Sequence, residues 1–297
     1  MSDLSQITAF LQSLQDDICR ELELLDGQAR FQEDAWIRAE GGGGRSRALA
    51  GGKIFEKAGV NFSHVHGPMP EKIATRLGLP PGSFFHATGV SLVIHPLSPK
   101  MPITHMNVRY FEVPDITWWF GGGIDLTPIY VDRQDAAHFH QTLKQVCDQH
   151  DTAHYPKFKK WCDEYFWLRH RGEMRGVGGI FFDHLKADDK EGKQKLLAFW
   201  QDVGSAFAPL YTGILRRHLD APFTESEKRF QLLRRSRYVE FNLLYDAGTK
   251  FGLDTDGRTE SILMSMPPLA AWEYNWQPEP GSPEAETIAL LQPMDWA

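Results

Sequence analysis

The sequence predicts an α+β protein: one large, mainly antiparallel sheet flanked by helices on both faces. Three observations predict it. Between residues 32 and 130, five strand-like segments follow one another with only Gly- and Pro-rich turns between them. That is a meander, not a strict strand–helix alternation. Apolar residues at helical spacing flank the block on either side. No repeat, low-complexity linker or long charge block divides the chain, so 1–297 is expected to be a single domain.

The elements read as follows. Leu4, Ile7, Leu11, Leu14, Ile18, Leu22 and Leu25 recur at three- and four-residue steps, and Gly27 suits the stop of a helix over 3–26. Strands are expected near 32–39, 53–66, 84–95, 105–113 and 117–130. Helices are expected over 133–150 and 156–171, the second with Pro156 at its first position. A short apolar strand, 178–183, precedes a helical region over 189–219 and a helix over 224–235. Val239, Phe241, Leu243 and Tyr245 alternate with Tyr238, Glu240, Asn242 and Leu244, which predicts a strand over 237–245. A strand pair is expected over 249–266, turning at Asp254–Gly257 and ending at Pro267-Pro268. The acidic tail, 277–297, reads as peripheral.

Composition narrows the class. Hydrophobic residues make up 42% and charged residues 24% of 297, which fits a soluble globular chain. With 32 basic and 39 acidic residues the net charge is −7, which argues against nucleic acid as the main partner. Cys19, Cys147 and Cys162 are too scattered for a disulfide framework, so a reducing, cytoplasmic setting is expected. No signal peptide and no apolar run of transmembrane length is visible. Aromatic residues reach 12%, several beside glycine as in Trp118-Trp119-Phe120-Gly121-Gly122-Gly123. They build either a large core or the walls of a flat pocket for a ring system.

The nucleotide, zinc-protease and serine-hydrolase motifs are absent. What stands out is a pair of strands. Ser91, Val93 and His95 share one face, and His105, Asn107, Arg109 and Phe111 share another. A hairpin with a symmetric loop places His95 opposite His105 and Ser91 opposite Arg109. The polar side chains then gather on one side, while Leu92, Ile94, Met106, Val108 and Tyr110 pack on the other. Such a polar face on inner strands is costly unless water or a ligand meets it.

His140 and His170 fall at the edges of the stripes Phe139, Leu143, Val146, His150 and Phe158, Trp161, Tyr165, Leu168. Each is either a boundary residue or an inward ligand. Four converging histidines suit a borderline divalent metal. Arg45 and Arg47 follow Gly41–Gly44, Arg171 and Arg175 precede Gly176, Gly178 and Gly179, and Arg258 follows Gly257. Glycine admits close backbone approach and arginine forks onto carboxylates, so the set suggests a ligand with several carboxylates. The glycine run is either a surface turn or a mobile lid.

The stretches GGGGRSRALAGGKIFEKAGVNFSHVHG (41–67), HMNVRYFE (105–112), WWFGGGIDLTPIY (118–130), KKWCDEYFWLRHRGEMRGVGGIFFD (159–183) and RYVEFNLLYDAGTKFGL with GRTESILMSMPP (237–268) closely resemble oxygen-dependent coproporphyrinogen III oxidases of the bacterial type. The resemblance implies a large antiparallel sheet between helices, a homodimer, and oxidative decarboxylation of two propionates of coproporphyrinogen III to vinyl groups. The products are protoporphyrinogen IX, CO2 and H2O2, with O2 as co-substrate. It implies no flavin, haem or nicotinamide, and a divalent metal, manganese, as a possible cofactor.

Carried over by motif, Ser91 and Asn107-Val108-Arg109 bind substrate, and Gly257 and Arg258 add a second contact. Here Asp256 stands where the family has glycine, and His184 stands where aspartate is common. His95, His105, His140 and His170 match the proposed metal ligands, and His105 also the proposed proton donor. The stretch 238–273 matches the dimerisation region. Asp125, in Gly-Gly-Gly-Ile-Asp, is expected to pair with pyrrole N–H groups and assist deprotonation. Arg109, Arg171 and Arg175 are expected to hold carboxylates. A metal-activated oxidase and a non-catalytic tetrapyrrole carrier are the competing readings.

Overall fold

The structure, a computed structural model, describes residues 3–254 and 257–297. Asp256 lies outside the described residues. Seven strands form one antiparallel sheet in chain order: β1 (Gln32–Ile37), β2 (Gly42–Ala50), β3 (Phe55–Pro68), β4 (Phe84–Pro96), β5 (Ile103–Val113), β6 (Thr117–Thr127) and β9 (Gly178–Leu185). A short hairpin, β7 (Trp167–Leu168) and β8 (Glu173–Met174), stands apart. Helix α2 (Glu71–Leu77) interrupts the meander between β3 and β4.

One sheet face carries the core. Val90, Leu92 and Ile94 of β4, Met106 and Val108 of β5, and Phe120 and Ile124 of β6 are buried there. Against them pack α1 (Asp3–Asp26), α3 (Arg133–Asp148) and α5 (Lys190–Arg216) through Leu11, Ile18, Phe139, Trp200 and Phe207. Strand alternation separates these apolar side chains from the polar ones of the same strands. At the end of α1, the buried Asp26 accepts backbone N–H bonds from Ala29, Ile54 and Phe55, tying the helix to the start of β3.

The other face is covered at its margins. Helix α6 (Glu225–Leu244) sets Phe230 and Tyr238 against Val93 and Ile103. Helix α8 (Thr259–Leu263) and the turn after it lie over β2 and β3, where Met264 occupies the space a Cβ on Gly59 would take. Helix α4 (His154–Tyr165) packs on β9.

Several expectations are corrected. Residues 237–245 are the end of α6, not a strand. Thr224 and Glu227 form a capping box that starts the helix, and the run then continues past the expected stop at 235. The described residues within 249–266 form α7 (Ala247–Asp254) and α8 with the turn after it, not a strand pair. Gly42, Gly43 and Gly44 open β2 and pair with β3, the last two also with β1, so the glycine run after Gly41 is a strand and not a lid. The tail is anchored: Glu284 and Thr287 of α9 (Pro283–Leu290) accept hydrogen bonds from the Tyr130 hydroxyl and the Val131 N–H in the connection between β6 and α3, and Leu291 and Trp296 are buried.

Candidate active site

The inner strands of the second face hold a polar floor. The β4–β5 ladder pairs Ser91 with Asn107, Val93 with His105 and Gly89 with Arg109. This register is two residues away from the symmetric hairpin. Ladder pairing stops at Ile94 and Thr104, and His95 instead pairs with Lys57 on β3. A shift of two preserves every side chain's face, so the expected polar grouping survives. The β5–β6 ladder continues it, with His105 opposite Asp125 and Arg109 opposite Gly121. Ser91, His105, Asn107 and Arg109 are half-buried on the central strands of a seven-stranded sheet, where flanking helices leave them open.

At the centre is a three-residue chain. His105 Nδ1 lies 2.8 Å from Asp125 Oδ1, and Arg175 Nη2 lies 2.6 Å from Asp125 Oδ2. The side chains of Asp125 and Arg175 are each 3% exposed. Burial alone pushes the Asp125 carboxyl up, but the Arg175 charge and the His105 hydrogen bond outweigh it and hold it below the usual carboxylate range. The carboxylate therefore stays ionised and fixes Nδ1 of His105 as a donor. The ring's Nε2 is left for another partner.

Arg175 is itself held. Its guanidinium carbon lies 4.1 Å from the Phe166 ring centre, 4.5 Å from Tyr238 and 4.8 Å from Phe241, and Nη1 donates to Asn242 Oδ1 at 3.0 Å. Aromatic faces compensate a buried guanidinium that water cannot reach. Arg109 is more open, 35% exposed, donating to Asn107 Oδ1 at 2.8 Å and pairing with Asp183 at 2.8 Å.

The sequence reading missed Asp183, Asn242 and the aromatic trio Phe166, Tyr238 and Phe241. The alternation of Gly179, Phe181 and Asp183 in a strand already expected was a usable signal for the first. Nothing local signals the others, because α6 and the end of α4 meet β6 only in the tertiary fold.

The remaining expected residues lie elsewhere or act otherwise. Asp125 is too buried to offer a free face to pyrrole N–H groups. Arg175 is committed to Asp125 and Asn242 and is 3% exposed. The Val108 side chain is fully buried on the opposite, core face. Arg171 forms a fork with Glu240 at 2.8 and 2.6 Å, in a network with His170, Tyr245 and Trp272. Burial would push the Glu240 carboxyl up, yet Arg171, His170 and Trp272 bring it down to about 2. Arg45 and Arg47 pair with Asp16 of α1. Gly257 donates its N–H to Gly252, and Arg258 pairs with Asp34 of β1 on the polar side of the sheet. Asp34 lies on β1, four strands from β5 and roughly 19 Å away by strand spacing.

The four histidines do not fit a shared metal. His140 is buried between α3 and the start of β9. Its Nε2 donates to Val177 O at 2.9 Å, and its Nδ1 meets the Tyr155 hydroxyl at 2.9 Å, so both nitrogens are used. Burial lowers it to about 4, which keeps it neutral in this pairing. His95 is fully buried, donating to Ser265 O at 2.8 Å and edge-on to Tyr238. His170 lies in the β7–β8 turn, not on a helix, bonded to Tyr245 and Glu240. Among the described residues, the acids, cysteines and histidines whose ligand atoms converge as a group of three within 4.8 Å are Asp132, Asp135 and His218. There Arg217 and His218 already engage the two oxygens of Asp135.

Among the described residues no helix is long and apolar enough to cross a membrane. The family whose model matches the chain is described as coproporphyrinogen III oxidase, and the match runs over residues 6–296.

Proposed function

Because the chain belongs to the coproporphyrinogen III oxidase family, whose members decarboxylate coproporphyrinogen III in haem synthesis, we propose that it does so with O2 as the oxidant. In each turn one propionate loses its carboxyl as CO2 and one hydrogen from the carbon next to the pyrrole. Two electrons and two protons pass to O2, which leaves as H2O2, and a vinyl group forms. Two turns give protoporphyrinogen IX. The electron-rich macrocycle supplies the electrons, so the reading calls for no flavin, haem or nicotinamide.

The observation that carries the proposal is the His105–Asp125–Arg175 chain beneath an open floor of Ser91, Asn107 and Arg109. Arg109 is the cation that takes a propionate. Ser91 and Asn107 offer neutral hydrogen bonds beside it. His105 holds and moves the proton at Nε2, and Asp125 orients it. Arg175 is a positioning residue that keeps Asp125 ionised. No step is drawn through a metal, since the histidines expected to bind it do not gather.

We further read the chain as one catalytic domain that works as a cytoplasmic homodimer. Exposed Leu243, Leu244, Leu269 and Trp272, 47–61% accessible, support an interface within 238–273. The test incubates the protein with coproporphyrinogen in air and under anaerobic conditions, measuring vinyl products and H2O2. Product in air with matching H2O2 is expected. No product in air, or equal product without O2, overturns the reading.

A further inference from the structure

On the core side of the sheet, beyond the ends of α1 and α5, three histidines face one another. His64 and His66 are two residues apart on β3 and so share a face, and His66 pairs with His86 across the β3–β4 ladder. The ring centres are 5.6 Å (His64–His66), 5.5 Å (His64–His86) and 5.4 Å (His66–His86) apart. His64 Nε2 lies 3.3 Å from His86 Nδ1. Two imidazole nitrogens on one tetrahedral ion, each about 2.0–2.1 Å from it, are separated by about 3.4 Å.

From this near-equilateral triangle we propose a three-histidine site, His64–His66–His86, for one divalent transition metal of the zinc class. It lies on the opposite face from His105 and Asp125 and is separate from the site described above.

The surroundings suit that ligand. All three side chains are half-buried, so an ion can enter while the rings stay ordered. Phe84 packs 5.3 Å from His86 and 5.8 Å from His66, centre to centre, forming an apolar wall. Glu112, opposite His86 on β5, is the acidic charge that acts on both His64 and His86. It is placed to balance an ion or to accept a ring N–H from a ligating histidine. The glycine at 41 makes room for the third ring: a Cβ there would stand 2.7 Å from His66 Nδ1. The His64 and His86 nitrogens already meet. As the rings stand, the three do not place one nitrogen each within 4.8 Å of one another, so the ion must draw the His66 ring inward from its centre-to-centre distances of 5.6 and 5.4 Å. Three imidazoles leave the fourth tetrahedral position to water or Glu112.

The experiment uses the untagged full chain, stripped with a chelator and dialysed, and titrated with Zn2+ by calorimetry and with Co2+ by visible absorption. One equivalent is expected to bind, with the absorption of a low-coordinate Co2+ ion and a rise in melting temperature. His64→Asn, His66→Asn and His86→Asn should each weaken binding at least about tenfold. His105→Asn should leave it unchanged. Melting of each metal-free variant confirms that it is folded, and His86→Gln serves as a second substitution at the central position. Absence of saturable binding, or binding that survives all three asparagine variants, overturns the site. Loss of binding in His105→Asn instead places the metal on the other face and overturns it equally.

Discussion

His105 and Asp125 stand directly opposite each other on β5 and β6, joined at 2.8 Å between Nδ1 and Oδ1. The second oxygen of the same carboxylate meets a buried arginine at 2.6 Å. A half-exposed histidine is thereby aimed by a carboxylate that cannot easily lose its charge.

Asp125→Asn removes that charge while keeping the shape. Turnover of coproporphyrinogen should fall about 100-fold or more, within the range lost with a general acid–base group. Arg175 is left buried without its counter-ion, so unfolding in urea should show a loss of about 3 kcal/mol. Near-native turnover in the folded variant would remove Asp125 from the mechanism.

Arg109→Ala tests propionate capture separately. It should raise KM about tenfold or more, the scale of one charge-assisted hydrogen bond, and change kcat far less. Arg171→Ala serves as the contrast. Its guanidinium is spent on Glu240, so KM should stay near native.

His140 should behave as a structural residue. His140→Phe leaves the Tyr155 hydroxyl and the Val177 carbonyl buried without their partner, costing about 1–3 kcal/mol. Steady-state kinetics on the folded variant should give an unchanged kcat. A specific collapse of kcat at full stability would show a chemical role instead.

Glu240 predicts a pH signature. Its carboxyl sits at about 2 in the folded chain against an ordinary 4.5. A folded-state value below the unfolded one means stability that is complete above the unfolded value and lost as pH falls through the folded one. Urea midpoints of the native protein and Glu240→Gln should therefore differ at pH 7 and converge between about pH 4.5 and 2. A gap that widens with acid would contradict the assignment.

Much of this was legible in the sequence, for identifiable reasons. Alternation fixes faces regardless of exact register, so the shared face of Ser91, His105, Asn107 and Arg109 could be read although the pairing was two residues off. Gly42–Gly44 escaped because glycine carries no strand preference and no face. The segment 237–245 misled because alternating apolar residues also occur on a helix packed on one side and open on the other. There Tyr238 and Phe241 face inward while Leu243 and Leu244 do not. The clamp on Arg175 could not be read, since its parts come from residues 166, 238, 241 and 242 and meet only when α6 docks. The histidine set failed for the same reason: shared residue type implies nothing about convergence.

Asn242 grips Arg175 from the inner side of the last turn of α6, while Leu243 and Leu244 point outward from that same turn at 47% and 50% exposure. In the proposed homodimer, a partner that seals the two leucines would also steady the asparagine. Activity per chain should then rise with protein concentration, through a single helical turn that reads the outside of the molecule and reports to the aspartate within.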